Sequence, residues 1–410
     1  MSLNLQDIKN AAKLIDGRVL RTPFIRSLKL SEITGADVWL KLENLQHTGA
    51  FKVRGALVKL LSLSQKERQD GVVAASAGNH AQGVGYFSQQ LGIPATIVMP
   101  TGTPFTKISR TEAFGATVVL HGGDFIAARD HAYELSKEHG YAFVHPYDDD
   151  HVMAGQGTIA LEILEDKPDL DALIVAIGGG GLISGIGTAA KALRPEIEIY
   201  GVQAALYPSM YDAYHHVVTA FTGDQTIADG IAVKEPSANT YAIIEKVVDD
   251  VFLTGEMEIE EAIQMYLETQ RIISEGAGAA SLAGLMKNKD RFKGKSVGLI
   301  VSGGNIDSRM LSSILMRGLA REGRLASLRI NIPDTPGVLA TISTIIGESG
   351  ANIIEVHHQR LFSDVALKQT QIDVAIETLD RKHVRNIVEL LCDSGFKTRV
   401  LSSTTGGEGE

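Results

Sequence analysis

Two rhythms of apolar and polar positions run along this chain: short apolar runs, and longer stretches with helical spacing. Val38–Leu42, Val72–Ala75, Ala95–Met99, Ala116–Leu120, Ala142–Val144, Leu173–Ile177, Ile197–Val202, Val247–Leu253 and Val297–Val301 read as strands. Several are apolar without a break, the pattern of parallel strands covered on both faces. Between them, Phe105–Phe114, Phe125–His139 and Ile259–Ser274 carry helical spacing. Alternation of this kind over about 300 residues predicts an α/β layer architecture.

The rhythm changes near residue 325. Ser327–Ile332 alternates as a strand, and Pro336–Ser349 is helical, with Asp334-Thr335-Pro336 at its start. Ile353–Arg360 and Thr370–Thr378 alternate again, Leu379–Asp393 is helical and Phe396–Leu401 is a last strand. This β-α-β-β-α-β order predicts a ferredoxin-like module. Ser402–Glu410 has nothing to bury and reads as a flexible tail. No internal repeat interrupts the pattern.

Composition narrows the classes. With 410 residues the chain is long for one domain. Apolar residues at 44% and charged residues at 21% exclude disorder of the whole chain. The net charge is −10, and neither the first 326 residues nor the remainder is basic. An electrostatic footprint for nucleic acid or an anionic membrane is therefore absent. The single cysteine, Cys392, makes no intrachain disulfide or zinc cluster and reads as a small buried residue on a helix. No basic stretch followed by an apolar run opens the chain, and no apolar run reaches the ~18 residues of a membrane helix. The expectation is a cytoplasmic protein.

Four segments carry candidate chemistry. Gly178-Gly179-Gly180-Gly181-Leu182 follows a strand and opens a helix. Side-chain-free N–H groups at a helix N-terminus suit a phosphate, although a flexible turn would read the same way. No dinucleotide or P-loop frame fits, so the phosphate need not belong to a nucleotide. Lys52, after Phe51 in Thr48–Gly55, is either a solvated lysine or an amine able to form an imine with a carbonyl cofactor. Ser76–Gly83 follows a strand and leads into a helix, which suits a carboxylate or phenolate, or simply a cap supplied by Ser76 or Asn79. Ser302-Gly303-Gly304-Asn305 follows another strand, where α/β sheets bind ligands.

Together these segments resemble the fold-type II pyridoxal-phosphate enzymes, and among them the threonine dehydratases (threonine ammonia-lyases). The runs Thr48–Gly55, Ser76–Gly83 and Gly178–Leu182 carry the likeness, with Ala154–Thr158, Ile227–Gly230 and Ser302–Asn305 beside them. The resemblance implies that Lys52 holds pyridoxal 5'-phosphate covalently and is the catalytic base. It implies that Phe51 packs by the ring, Asn79 bonds the ring oxygen, and Gly178, Gly179, Gly180, Gly181 and Leu182 cradle the phosphate. Ser302 would meet the ring nitrogen, where a serine, unlike an aspartate, does not force protonation. Ser76, Asn79 and His80 would hold the substrate carboxylate. Related serine racemases carry a serine where this chain has Ala77, which cannot donate a proton, so racemisation is disfavoured. They also use a glutamate for a divalent metal where this chain has Gln203, so no metal is expected.

The function so implied is dehydration and deamination of L-threonine to 2-oxobutanoate and ammonia, with activity on L-serine. Alternatives are a lyase for another β-hydroxy amino acid, such as serine or 3-hydroxyaspartate, and a non-catalytic amino-acid sensor. Residues 1–320 would form the catalytic domain, with a smaller subdomain over about 45–150. Residues 326–402 resemble an ACT domain, with Asp334–Leu339 as the most typical stretch, and 403–410 would be the tail. The resemblance implies an amino-acid effector near Asp334–Val338 and Asn352, for which a branched-chain amino acid is the expectation, since isoleucine lies downstream of 2-oxobutanoate. It also implies a homodimer or homotetramer.

Overall fold

The computed structural model describes residues 3–219, 223, 225–359 and 369–401. By its internal contacts the chain divides into two compact units, Met1–Ile306 and Asp307–Glu410.

Two sheets build the first unit. The larger has six strands: β1 (Phe24–Arg26), β2 (Asp37–Lys41), β7 (Ala172–Ala176), β8 (Glu198–Ala204), β9 (Asp250–Thr254) and β10 (Ser296–Ile300). Their order is β1-β2-β10-β7-β8-β9, parallel except for the antiparallel edge strand β1. The smaller sheet contains β3 (Val72–Ala75), β4 (Ala95–Met99), β5 (Thr117–Leu120) and β6 (Ala142–Phe143), all parallel in the order β5-β4-β3-β6. The apolar runs are buried along their length: every residue of Val72–Ala75 and of Ala172–Ala176 is inside.

Helices cover these sheets and approach one another closely where glycine allows. A Cβ on Gly155, in the Asp150–Asp166 helix, would lie 2.6 Å from the Cα of Gly55 in the Lys52–Ser62 helix. A Cβ on Gly185, in the Gly181–Leu193 helix, would lie 2.2 Å from the Met153 carbonyl. The Lys52–Ser62 helix is also held by charge. Arg54, buried completely, donates to Glu43 at 2.8 Å and to Glu162 at 2.5 Å, and Lys41 completes the quartet through Glu162. Two cations and two anions balance one another, which offsets the cost of taking them out of water.

The second unit has strands β11 (Leu325–Pro333), β12 (Asn352–Gln359), β13 (Gln369–Glu377) and β14 (Thr398–Leu401), antiparallel in the order β12-β13-β11-β14. Helices Val338–Glu348 and Arg381–Asp393 pack Ile342, Ile346, Val384, Ile387 and Leu391 against Leu328, Ile330, Ile372 and Val374. The ferredoxin-like plan is therefore present. The Ser308–Glu322 helix groups with this unit, because it packs on β11.

Several expectations change. Val247 ends a helix, Ala238–Val247, and the strand begins at Asp250. The helix read over Ile259–Ser274 stops at Gln270, where Arg271 takes φ +60°. Pro336 precedes its helix, which is capped by Gly337 and starts at Val338. Cys392 lies on the Arg381–Asp393 helix but on its exposed side. Arg360 and the tail from Ser402 onward fall outside the described residues.

Candidate active site

A cavity of about 590 Å³ opens in the first unit, and the chemical segments of the sequence converge on it. That size suits a small organic ligand. Lys52 is the first residue of its helix, directly after Phe51. The segment from Thr48 to Phe51 is stitched to Ser302–Asn305: Phe51 N–H donates to the Ser302 carbonyl at 3.0 Å, and Gly304 N–H to the Gly49 carbonyl at 2.9 Å. This pairing places Lys52, Ser302 and Asn305, 250 residues apart in sequence, on one wall.

Lys52 Nζ donates to the Pro146 carbonyl at 2.7 Å and lies 5.2 Å from the centre of the Phe51 ring. Burial pushes its pKa down to about 8, against the pull of the Glu275 carboxylate. The solvated-lysine alternative fails on this geometry, since the amine is held inside the cavity.

The glycine loop forms another wall, with Gly178 to Leu182 all lining the cavity. Gly180 takes φ +91° and caps the Gly181–Leu193 helix. The first intrahelical bond runs from Ser184 N–H to the Gly180 carbonyl at 2.9 Å, so the N–H groups of residues 181–183 have no partner in the helix. Thr240 Oγ1 holds the loop from behind through the Gly179 carbonyl at 2.8 Å. Tyr147 packs on its front: a Cβ on Gly179 would lie 2.4 Å from the Tyr147 ring.

Ser76–Gly83 supplies a second helix start. The Asn79–Leu91 helix is capped by Gly78 without a side-chain bond, so neither Ser76 nor Asn79 caps it; Ser76 Oγ instead accepts from Gly78 N–H at 3.2 Å. Ser76, Asn79 and His80 all line the cavity. Burial, reinforced by the Lys52 charge, lowers the His80 pKa to about 3, and its Nε2 bonds the Val144 carbonyl at 2.8 Å. His80 is thus neutral and offers an anion no charge. The free N–H groups of the first helical turn are better placed for that role.

The sequence pattern does not single out Glu275, Asn305, Gln156, Tyr147 or the Lys107–Asp229 pair, all of which line the cavity. Glu275 sits beyond the break at Arg271, one residue past the end of the helix read over Ile259–Ser274, and is nearly fully buried. It accepts from Asn79 Nδ2 at 2.6 Å. Burial, with the Asp229 charge, raises its pKa to about 7 despite that bond. Asn305 donates to Asn79 Oδ1 at 2.8 Å and to the Thr48 carbonyl at 2.7 Å. Gln156 lines the cavity with Nε2 buried and without a partner. Lys107 meets Asp229 at 2.5 Å, both lining the cavity. Asn305, Gln156 and Asp229 lie in strings that the sequence marked; Tyr147 and Glu275 carried no local signal. Gln203 is occupied elsewhere, its Oε1 accepting from the N–H groups of Met210 and Tyr211 at 3.0 and 2.9 Å.

A profile of the family described as pyridoxal-phosphate dependent enzyme matches residues 15–303. An L-threonine ammonia-lyase of Thermotoga maritima is 44% identical over 400 residues, which is 97% of this chain and 100% of that one. Among solved structures, the processed form of threonine deaminase isoform 2 from Solanum lycopersicum superposes with a TM-score of 0.71 at 35% identity, covering 76% of this chain and 86% of that one. Maize serine racemase superposes with a TM-score of 0.73 at 31% identity, covering 78% and 99%.

Proposed function

The chain belongs to the family of pyridoxal-phosphate dependent enzymes, and from that premise we propose that it is an L-threonine ammonia-lyase forming 2-oxobutanoate and ammonia. The observation that carries the reading is the convergence of an amine of lowered pKa, a glycine-lined helix N-terminus and Asn79 on one cavity.

These residues fit pyridoxal phosphate. Lys52 supplies the amine for its carbonyl carbon, residues 178–182 the N–H cradle for its phosphate, and Asn79 a donor for its ring oxygen. The neutral hydroxyl of Ser302 suits the ring nitrogen, and Phe51 flanks the lysine. When bound, the cofactor withdraws electrons from the substrate Cα.

The protein's own groups do the rest. Lys52 Nζ, with its pKa near 8, exists as a free amine in a useful fraction near neutrality and takes the Cα proton. The N–H groups at the start of the Asn79–Leu91 helix, with Ser76 Oγ, bind the substrate carboxylate. Ala77 lines the cavity and has no proton to give, which favours loss of the β-hydroxyl over return of a proton to the opposite face of Cα. Water lost at Cβ is regained when ammonia leaves, so the net change is threonine to 2-oxobutanoate and ammonia.

The unit from Asp307 is read as an ACT-type module that binds an amino-acid effector near Asp334–Val338 and Asn352, in a homodimer or homotetramer. The relative from Thermotoga maritima, matched over its whole length, supports a chain of this composition.

A steady-state screen of threonine, serine and 3-hydroxyaspartate, each with and without branched-chain amino acids, tests the reading. Threonine should give 2-oxobutanoate with the highest kcat/KM, and serine a lower value. Turnover of 3-hydroxyaspartate alone would transfer the assignment to a different lyase. No turnover with any of them would leave a sensor.

A further inference from the structure

The hydrogen bonds around Asn79 have a direction. At one end stands the Thr48 backbone carbonyl, which can only accept. Asn305 Nδ2 donates to it at 2.7 Å and spends its second proton on Asn79 Oδ1 at 2.8 Å. At the other end, Glu275 Oε1 accepts from Asn79 Nδ2 at 2.6 Å. An amide can normally be turned over by 180°, exchanging donor for acceptor. Here the turn is blocked by Asn305, because it would set Asn79 nitrogen against Asn305 nitrogen and break the bond to Glu275. Asn305 cannot turn either, since its own oxygen would then face the Thr48 carbonyl. Gly49, at φ +71°, makes room for this arrangement: a Cβ there would lie 2.7 Å from Asn305 Oδ1.

The proton count follows. Asn305 uses both of its amide protons, and Asn79 uses one of two. The remaining Asn79 proton belongs to a side chain lining the cavity beside Lys52.

We propose that Asn305 is a positioning residue, which fixes the amide of Asn79 so that it presents a hydrogen-bond donor to the cofactor's ring oxygen. The inference rests on the reading that Asn79 meets that oxygen. Asn305 touches no reacting atom and acts through Asn79. A donor at the ring oxygen favours its anionic form, and loss of the donor makes the oxygen more basic.

Asn305→Asp is the decisive variant. Its carboxylate can only accept, so Asn79 is drawn to turn over and donate to residue 305, which takes its amide nitrogen away from Glu275 and its free proton away from the ligand. The absorption spectrum of the substrate-free holoenzyme should shift toward the form that carries its proton on the ring oxygen. The value of kcat should fall about tenfold, as for loss of a hydrogen bond to a charged group. Asn79→Ala should give the same spectral shift, and the double variant no further shift. Should aspartate prevent folding, as judged by circular dichroism, Asn305→Ser removes the relay without a charge and should give a partial shift that vanishes in the Asn79→Ala background.

The outcomes separate. An unshifted spectrum in Asn79→Ala removes the contact between Asn79 and the ring, and the proposal with it. A shift in Asn79→Ala but none in either Asn305 variant overturns the role of Asn305 alone. Shifts that add in the double variant mean that Asn305 acts by another route, which also overturns the proposal.

Discussion

At Lys52, burial and charge oppose each other and burial wins, leaving the amine near pKa 8. Only the neutral amine attacks a carbonyl, so the cofactor-free protein should capture pyridoxal phosphate faster as pH rises, with a midpoint near 8 rather than 10.5. Stopped-flow absorbance checks the midpoint; borohydride reduction and peptide mapping check that the adduct is on residue 52 and is lost in Lys52→Ala. The glycine loop gives a second expectation. Gly179→Val drives a side chain into the Tyr147 ring, so cofactor affinity should fall, and Tyr147→Ala in the same chain should restore part of it. Equilibrium dialysis measures both; equal affinity in all three proteins would detach the loop from the cofactor. Lys52 and the glycines stood out in the sequence because they lie in short contiguous strings. Glu275 and Tyr147 did not, because what makes them functional is the company of residues far away: Asn79, 196 positions from Glu275, and the loop that Tyr147 covers.

The helix that carries Lys52 is fixed by contacts that leave little room for error. Gly155→Ala would set a Cβ 2.6 Å from the Gly55 Cα and 2.7 Å from the Arg54 carbonyl, backbone that cannot swing aside. The expected loss is about 3 kcal/mol, at the upper end for overpacking, read from urea unfolding. Arg54→Leu would leave Glu43 and Glu162 facing Lys41 alone in a dry interior, and should cost about 3–5 kcal/mol by the same measurement. Parallel strands were legible as elements because burial on both faces writes an unbroken apolar run. The errors fell where tertiary context decides. Phe24–Arg26 is too short, and too exposed at two of its three residues, to announce a strand. Val247 is as apolar as the strand it was joined to, and only packing assigns it to the preceding helix. Gly337, in a left-handed conformation, caps the helix, which starts two residues after the Pro336 that the pattern gives as its start.

For the whole chain, the division at 306/307 gives a place to cut. A protein ending at Ile306 contains each group that lines the cavity and should retain cofactor binding and threonine turnover, while losing any response to an amino-acid effector. Activity assays and calorimetry with the effector panel check both halves; a truncated chain that folds and binds cofactor but has lost turnover would tie catalysis to the second unit. The two-part organisation was visible as a change of rhythm, but the Ser308–Glu322 helix was not assignable from sequence, since only its packing on β11 says which unit it serves. The strand order of the larger sheet has one more consequence, which concerns the ribosome. β10, the last strand of the first unit to be made, lies between β2 and β7, which do not pair with each other. Until residue 300 has emerged, the nascent chain holds two separate pieces of sheet, each with an open edge of unpaired N–H and C=O groups. The unit therefore closes late and at once, and a growing chain stalled before β10 is the form most in need of a chaperone.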